Sequence, residues 1–195
     1  MTTPIAMRVI AAPNCTLEPL VAAHAAEMFV ALSDPAIYEF ENEPPPSEAW
    51  LSERYARLER RTSPDGAQAW LNWVVRLPGG ELAGYVQATV LGTGTAVVAY
   101  ELGSRWWRRG IGRAAVAGML EELRVHHGVW AFAAVLKRAN LRSHGLLLRL
   151  GFREATAGER VAFGAGDDER VMVREAASPD GPGTTHGGGY DHRGT

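Results

Sequence analysis

An α/β fold, with a mixed but mostly antiparallel sheet of six to seven strands flanked by four helices, is the architecture the sequence predicts. Three observations carry that prediction. Three β-type runs, at 69–77, 81–91 and 95–102, follow one another across the short turn sequences PGG and GTG, as an antiparallel meander does. Two amphipathic helical patterns precede the meander. Behind it the pattern changes to helix and strand, so that a β-α-β crossover succeeds the hairpins.

The elements can be justified in order. The first 14 residues hold no sustained pattern and are expected to form a flexible segment, with one domain over 15–175. TLEPL (16–20) reads as a short strand, which Pro19 confines to a sheet edge or a strand end. Val21, Ala25, Met28, Phe29 and Leu32 recur at helical spacing until Ser33-Asp34-Pro35 stops them. YEFENEPPP (38–46) is acidic and proline-rich, an exposed loop expected to be ordered only in part. Ser47 is a plausible N-cap for a helix that carries Leu51, Tyr55 and Leu58 on one face. SPDG (63–66) is a turn into the meander. A helix follows over 111–127, with Val116, Met119, Leu120 and Leu123 inward; Gly128 ends it, and a strand runs over 129–136. A last helix at about 141–150 stops at Gly151, and two weaker strands lie near 152–155 and 169–175. Residues 176–195 are rich in Gly and Pro, with little to bury, and are expected to be a disordered tail.

Composition excludes several classes of function. The 195 residues are 46% apolar, enough for one sizeable core, and the net charge of −2 provides no global field toward nucleic acid or a membrane surface. Cys15 is the only cysteine, so an internal disulfide is excluded and thiolate zinc sites are disfavoured; a reducing cytoplasm is expected. The N-terminus lacks a basic stretch followed by a long apolar core, and no segment reaches the roughly 20 apolar residues of a bilayer span.

The chemistry concentrates in SRWWRRGIGRAAVAG (104–118). A strand ending at Leu102 leads through this loop into a helix that starts near Gly110-Ile111-Gly112, where unpaired backbone N–H groups attract anions. Glycines let phosphate oxygens approach the backbone, and Arg108, Arg109 and Arg113 add charge-assisted bonds. A pyrophosphate suits such a cradle. GIGRAA also matches the dinucleotide fingerprint, but seven residues separate strand from glycine and the following strand supplies no ribose-binding acid, so a Rossmann reading is rejected. No Gly-Lys-Ser/Thr follows, which excludes a Walker A loop. An arginine-rich nucleic-acid binder is disfavoured by the overall charge.

Together, AYELGSRWWRRGIGRAAVAGMLEEL and VLKRANLRSHGLLLRLGF resemble the two halves of the acetyl-coenzyme A site of the GNAT superfamily of N-acetyltransferases. LSDPAIY (32–38), Asn140-x-x-Ser143 and Leu150-Gly151-Phe152 are similar to the branch that acetylates the N-terminal alanine or serine of ribosomal proteins. Trp107 stands where a polar residue is usual in the family, a departure typical of that branch. The resemblance implies a V-shaped opening between the fourth and fifth strands. It implies acetyl-CoA as co-substrate, with no metal and no covalent intermediate, held by the backbone of Leu102, by Arg108, Arg109, Gly110, Ile111, Gly112 and Arg113, and by Asn140. It implies an amine acceptor, in one reading a protein N-terminus, attacking the thioester while the Leu102 N–H stabilises the oxyanion. Glu101 is the first candidate for the base, ahead of Glu41 and Glu43. The tyrosine that many members place seven residues after the motif asparagine is Leu147 here, which leaves Ser143 as the candidate donor to the leaving sulfur; Asn140 has a second reading as a helix N-cap. His144, about 100° round the helix from Ser143, makes no nucleophilic pair with it. Trp106 and Trp107 are read as packing beneath the loop. A small amine (amino acid, polyamine or aminoglycoside) is the alternative acceptor, and a non-catalytic acetyl-CoA-binding module the alternative class. A monomer or homodimer is expected, without nucleic-acid or membrane partners.

Overall fold

The computed structural model describes residues 5–176, and within them one mixed sheet of eight strands has the order β1-β2-β3-β4-β5-β6-β8-β7. In chain order the elements are β1 (Ile10–Ala12), β2 (Cys15–Pro19), α1 (Ala25–Leu32), α2 (Glu48–Leu58), β3 (Gln68–Arg76), β4 (Leu82–Leu91), β5 (Thr95–Leu102), α3 (Ile111–His126), β6 (Ala131–Lys137), α4 (Leu141–Arg149), β7 (Arg153–Glu154), α5 (Ala157–Ala162) and β8 (Glu169–Glu175). Every strand pairing is antiparallel except β5 with β6.

Strand alternation divides the interior in two. On one face Trp73, Val75, Val86, Val98 and Leu102 pack with Val116, Met119 and Leu123 of α3 and Leu147 of α4. On the other, Val74, Leu82 and Tyr85 pack with Met28 and Leu32 of α1 and Leu51 and Tyr55 of α2. The β3 run is buried at every position over 71–75, Asn72 included, because helices cover both of its sides.

Four expectations need correction. Residues 10–12 lie within the segment read as flexible, yet they pair with β2, and Ile5 and Met7 rest against the core; Trp73 Nε1 donates to the Arg8 carbonyl at 2.9 Å. The sheet has eight strands rather than six or seven, because that N-terminal strand is added. A fifth helix, α5, starts at a capping box in which Thr156 and Glu159 serve each other's backbone N–H, a local S/T-x-x-E signal hidden by the helix's short length. Of the tail expected over 176–195, Ala176 is ordered, its N–H donating to the Trp130 carbonyl at 2.7 Å and its side chain packed against the core, and 177–195 lie outside the described residues. Among the described residues, no helix is long and apolar enough to cross a membrane.

The feature that positions a site is a fork in the sheet. The parallel strands β5 and β6 pair only from Thr95↔Ala131 to Val97↔Ala133. Beyond that point β5 stays paired with β4 as far as Leu102, and β6 with β8 as far as Lys137, so their inner edges separate. Backbone groups on those two edges need partners from something else.

Candidate active site

A cleft of about 1170 Å³ runs through the fork, from the start of α3 on one face to α2 on the other. Its first end is made by backbone. Gly110 caps α3 with φ +79°, a left-handed conformation that glycine adopts without strain, and no side chain caps the helix. A Cβ on Gly110 would meet nothing within 4 Å. The turn is exposed, so the leading N–H groups and the positive end of the helix dipole face outward.

The two glycines serve different purposes, which corrects the reading of both as ligand clearance. A Cβ on Gly112 would lie 3.2 Å from Leu146 Cδ1 and 3.7 Å from Leu102 Cδ1, so this glycine lets α3 approach α4 and the end of β5. Arg108, itself at φ +59°, and Arg113 are exposed on the cleft wall. Arg109 folds back over Trp106, 5.3 Å from the ring centre, and the Ile111 side chain is in the core; both meet the turn through their backbone.

Both tryptophans are half-buried against the core. Trp107 Nε1 donates to the Leu102 carbonyl at 2.8 Å. Gly103 N–H donates to Ala83 of β4, so ladder alternation turns the N–H of Leu102 away from β4, toward the fork. That is the direction an oxyanion donor needs.

On the α3 and α4 face, Asn140 is the N-cap of α4, its Oδ1 accepting from the Ser143 N–H at 3.1 Å. The Ser143 hydroxyl lies 2.7 Å from the Tyr100 hydroxyl. Burial pushes the Tyr100 phenol up to about 12, so it stays protonated at neutral pH. The family pattern points to α4 for such a tyrosine, and nothing in the sequence marks Tyr100 on β5. Leu147, at that place, is fully buried in the core, and the phenol comes from β5 instead.

Glu101, the next residue of β5, points to the opposite face. Asn42 Nδ2 donates to its Oε1 at 2.8 Å across 59 residues of sequence, and Tyr85, its cross-strand partner, lies near enough to ease its ionisation. Burial raises the Glu101 carboxyl above its ordinary value, and these two side chains hold it down in part. Glu41 and Glu43 line the same lobe but are exposed.

The proline-rich loop is tied down more firmly than its composition suggests. Asn42 reaches Glu101, and in the segment just before the loop Asp34 accepts from the Ser104 N–H at 2.6 Å. Arg142 of α4 pairs with Glu39 at 2.6 Å and lies over both Phe40 and Trp107.

A family model described as an acetyltransferase (GNAT) domain matches residues 14–153. The chain is a GNAT acetyltransferase. No curated protein sequence matches it. Among solved structures, this GNAT enzyme is similar to RimL, a ribosomal L7/L12 α-N-protein acetyltransferase in complex with coenzyme A. The two share 13% identity and a TM-score of 0.72, over 87% of this chain and 98% of that one. A ribosomal-protein-S5-alanine acetyltransferase from Vibrio fischeri gives 16% identity and 0.67, over 87% and 97%. A chimeric spermidine N-acetyltransferase from Vibrio cholerae and hSSAT gives 18% identity and 0.67, over 84% and 96%. At these identities the likeness is one of fold. GNAT enzymes use acetyl-CoA as the acetyl donor, and acetyl transfer to an amine is the activity of this chain.

Proposed function

We propose that the enzyme acetylates an α-amino group, that of a protein or peptide N-terminus, in a ternary complex. The observation that supports this reading is that Glu101, held by Asn42, and the Ser143–Tyr100 hydroxyl pair lie on opposite faces of the fork, where one can serve the amine and the other the sulfur. Acetyl-CoA supplies an activated acetyl thioester. The N–H groups at 108–113, with Arg108 and Arg113, hold its pyrophosphate, and the open edges of β5 and β6 take the amides of its pantetheine arm. Asn140 acts as the cap that fixes the first turn of α4.

The residues then divide the work. Glu101 accepts the proton that the amine loses as its nitrogen bonds to the carbonyl carbon. The Leu102 N–H donates to the carbonyl oxygen as that oxygen gains charge. As the C–S bond breaks, the Ser143 hydroxyl donates to the sulfur and Tyr100 donates to Ser143. An α-amine, with a pKa of about 8, is freed of its proton at far smaller cost than a lysine at about 10.4, so a partly exposed carboxylate suffices as base.

A second reading, acetylation of a small-molecule amine, is favoured by Glu41 and Glu43 on the lobe wall. A panel of peptides beginning with Ala or Ser, free amino acids, spermidine and an aminoglycoside, scored by thiol release, separates the two. The highest kcat/KM is expected for the peptides. A preference for the polyamine or the aminoglycoside would overturn the α-amine reading, and tight cofactor binding with no turnover on any amine would overturn catalysis.

A further inference from the structure

The lobe beyond Glu101 carries groups that the proton-transfer scheme does not use. Tyr55 of α2 is only 3% exposed and lines the cleft, and its hydroxyl is buried with no hydrogen-bond partner among the described residues. A buried phenol left this way loses its hydration and gains nothing in return. Arg54, beside it in the chain, lies on the same wall. Its guanidinium makes no ion pair or hydrogen bond among the described residues, only a contact with the Trp50 ring at 5.6 Å. It is close enough to Glu101 and Tyr55 to ease the ionisation of both.

A lobe built solely for a polycation would not place a cation beside its base, because a second ammonium would be repelled there. An acceptor bearing an oxygen close to its amine is attracted instead. We propose that Arg54 and Tyr55 anchor the acceptor through an oxygen on the carbon next to its amine. That oxygen is the carbonyl of a peptide's first residue or the carboxylate of a free α-amino acid. The anchor rests on the assignment of this lobe to the acceptor. It sets the enzyme's substrate class as the N–Cα–C=O unit: Glu101 faces the nitrogen, and two donors face the oxygen. Tyr55, which lines the cleft and whose buried hydroxyl has no partner among the described residues, donates one hydrogen bond, and Arg54 adds a charge-assisted one.

The test compares alaninamide with isopropylamine, which has the same branched skeleton without the carbonyl, and free alanine with both. Each acceptor is measured on the parent enzyme, on Tyr55→Phe and on Arg54→Gln. Taking the variant-to-parent ratio for each acceptor cancels the difference in amine basicity. Tyr55→Phe removes a hydroxyl that bonds to no group among the described residues, so folding is retained. It should raise KM for alaninamide about fivefold to tenfold while leaving isopropylamine within about twofold. Arg54→Gln should act in the same direction, and more strongly on alanine than on alaninamide if the carboxylate is the natural partner. Equal ratios for alaninamide and isopropylamine would overturn the anchor while leaving acetyl transfer intact. If no amine is turned over, the proposed function fails, and the anchor is still read by melting temperature with coenzyme A present. Alaninamide should then stabilise the parent more than Tyr55→Phe, and equal stabilisation would overturn it.

Discussion

The two ends of the cleft are built by different means. At the start of α3 the binding groups are backbone N–H donors, set by a run of consecutive residues and one left-handed glycine. At the acceptor end the groups are side chains from α2, β4, β5 and a long loop, brought together only by tertiary structure. Backbone donors persist under most substitutions, whereas an assembled side-chain site is broken one residue at a time. Cofactor affinity should therefore resist change, and acceptor chemistry should not.

The largest effect is expected at the assembled end. Glu101→Gln keeps an acceptor oxygen for Asn42 but cannot take a proton, so kcat should fall by about 10²–10⁴-fold, with cofactor Kd within about twofold of the parent. A pre-steady-state acetylation assay and a calorimetric titration check the two halves. The same variant carries a stability signature. Because burial raises the carboxyl above its ordinary 4.5, ionising it costs the folded protein more than the unfolded chain. Its contribution to stability is present below the unfolded pKa and is lost as pH rises through the folded one. Glu101→Gln should therefore melt higher than the parent at neutral pH and at about the same temperature near pH 4.

At the backbone end, Gly110→Asp puts a charge and a Cβ into open space in front of the helix, while Gly110→Asn adds nearly the same bulk without charge. Asn and Asp are the residues that best tolerate a positive φ. Cofactor Kd should rise about tenfold or more for Asp and clearly less for Asn, with acceptor KM nearly constant. Equal losses would assign the effect to backbone strain rather than to a bound anion.

Ser143→Ala should lower kcat about tenfold without weakening the cofactor, a smaller loss than at Glu101 because a thiol with a pKa of about 8–9 is already a competent leaving group. Tyr100→Phe should lower it less. The double variant should be about as slow as Ser143→Ala alone, since the two hydroxyls share one hydrogen bond. The smallest change is expected at Asn42→Ala. Removing a donor that holds the Glu101 carboxyl down should move the acid limb of the kcat/KM profile to higher pH, with little loss at its plateau.

How much of this was legible in the sequence follows the same division. The meander, the helix after it and the phosphate turn are local patterns, and the elements fall close to where alternation and spacing place them. β1 was hidden because three residues carry too little pattern, and its pairing with β2 and the burial of Ile5 and Met7 against the core are tertiary facts. Glu101 was named, but Asn42, Tyr85 and Tyr55 were not singled out around it, since nothing in their neighbourhoods marks them as one site. Tyr100 and Glu101 are adjacent, and only the fork explains why one strand can supply groups to both faces of the reaction. The double duty of the glycines was likewise hidden: sequence shows two flexible residues, and only packing shows that one of them faces Leu146.

The division of the cleft is tested most directly by a crystal structure with a bisubstrate analogue, coenzyme A joined through an acetyl thioether to the amine of alaninamide. The pyrophosphate should lie on the N–H groups at the start of α3, the acetyl oxygen on the Leu102 N–H, and the nitrogen on the α1 and α2 face beside Glu101. Density that puts the nitrogen on the Ser143 face, or the pyrophosphate away from Gly110, would contradict it.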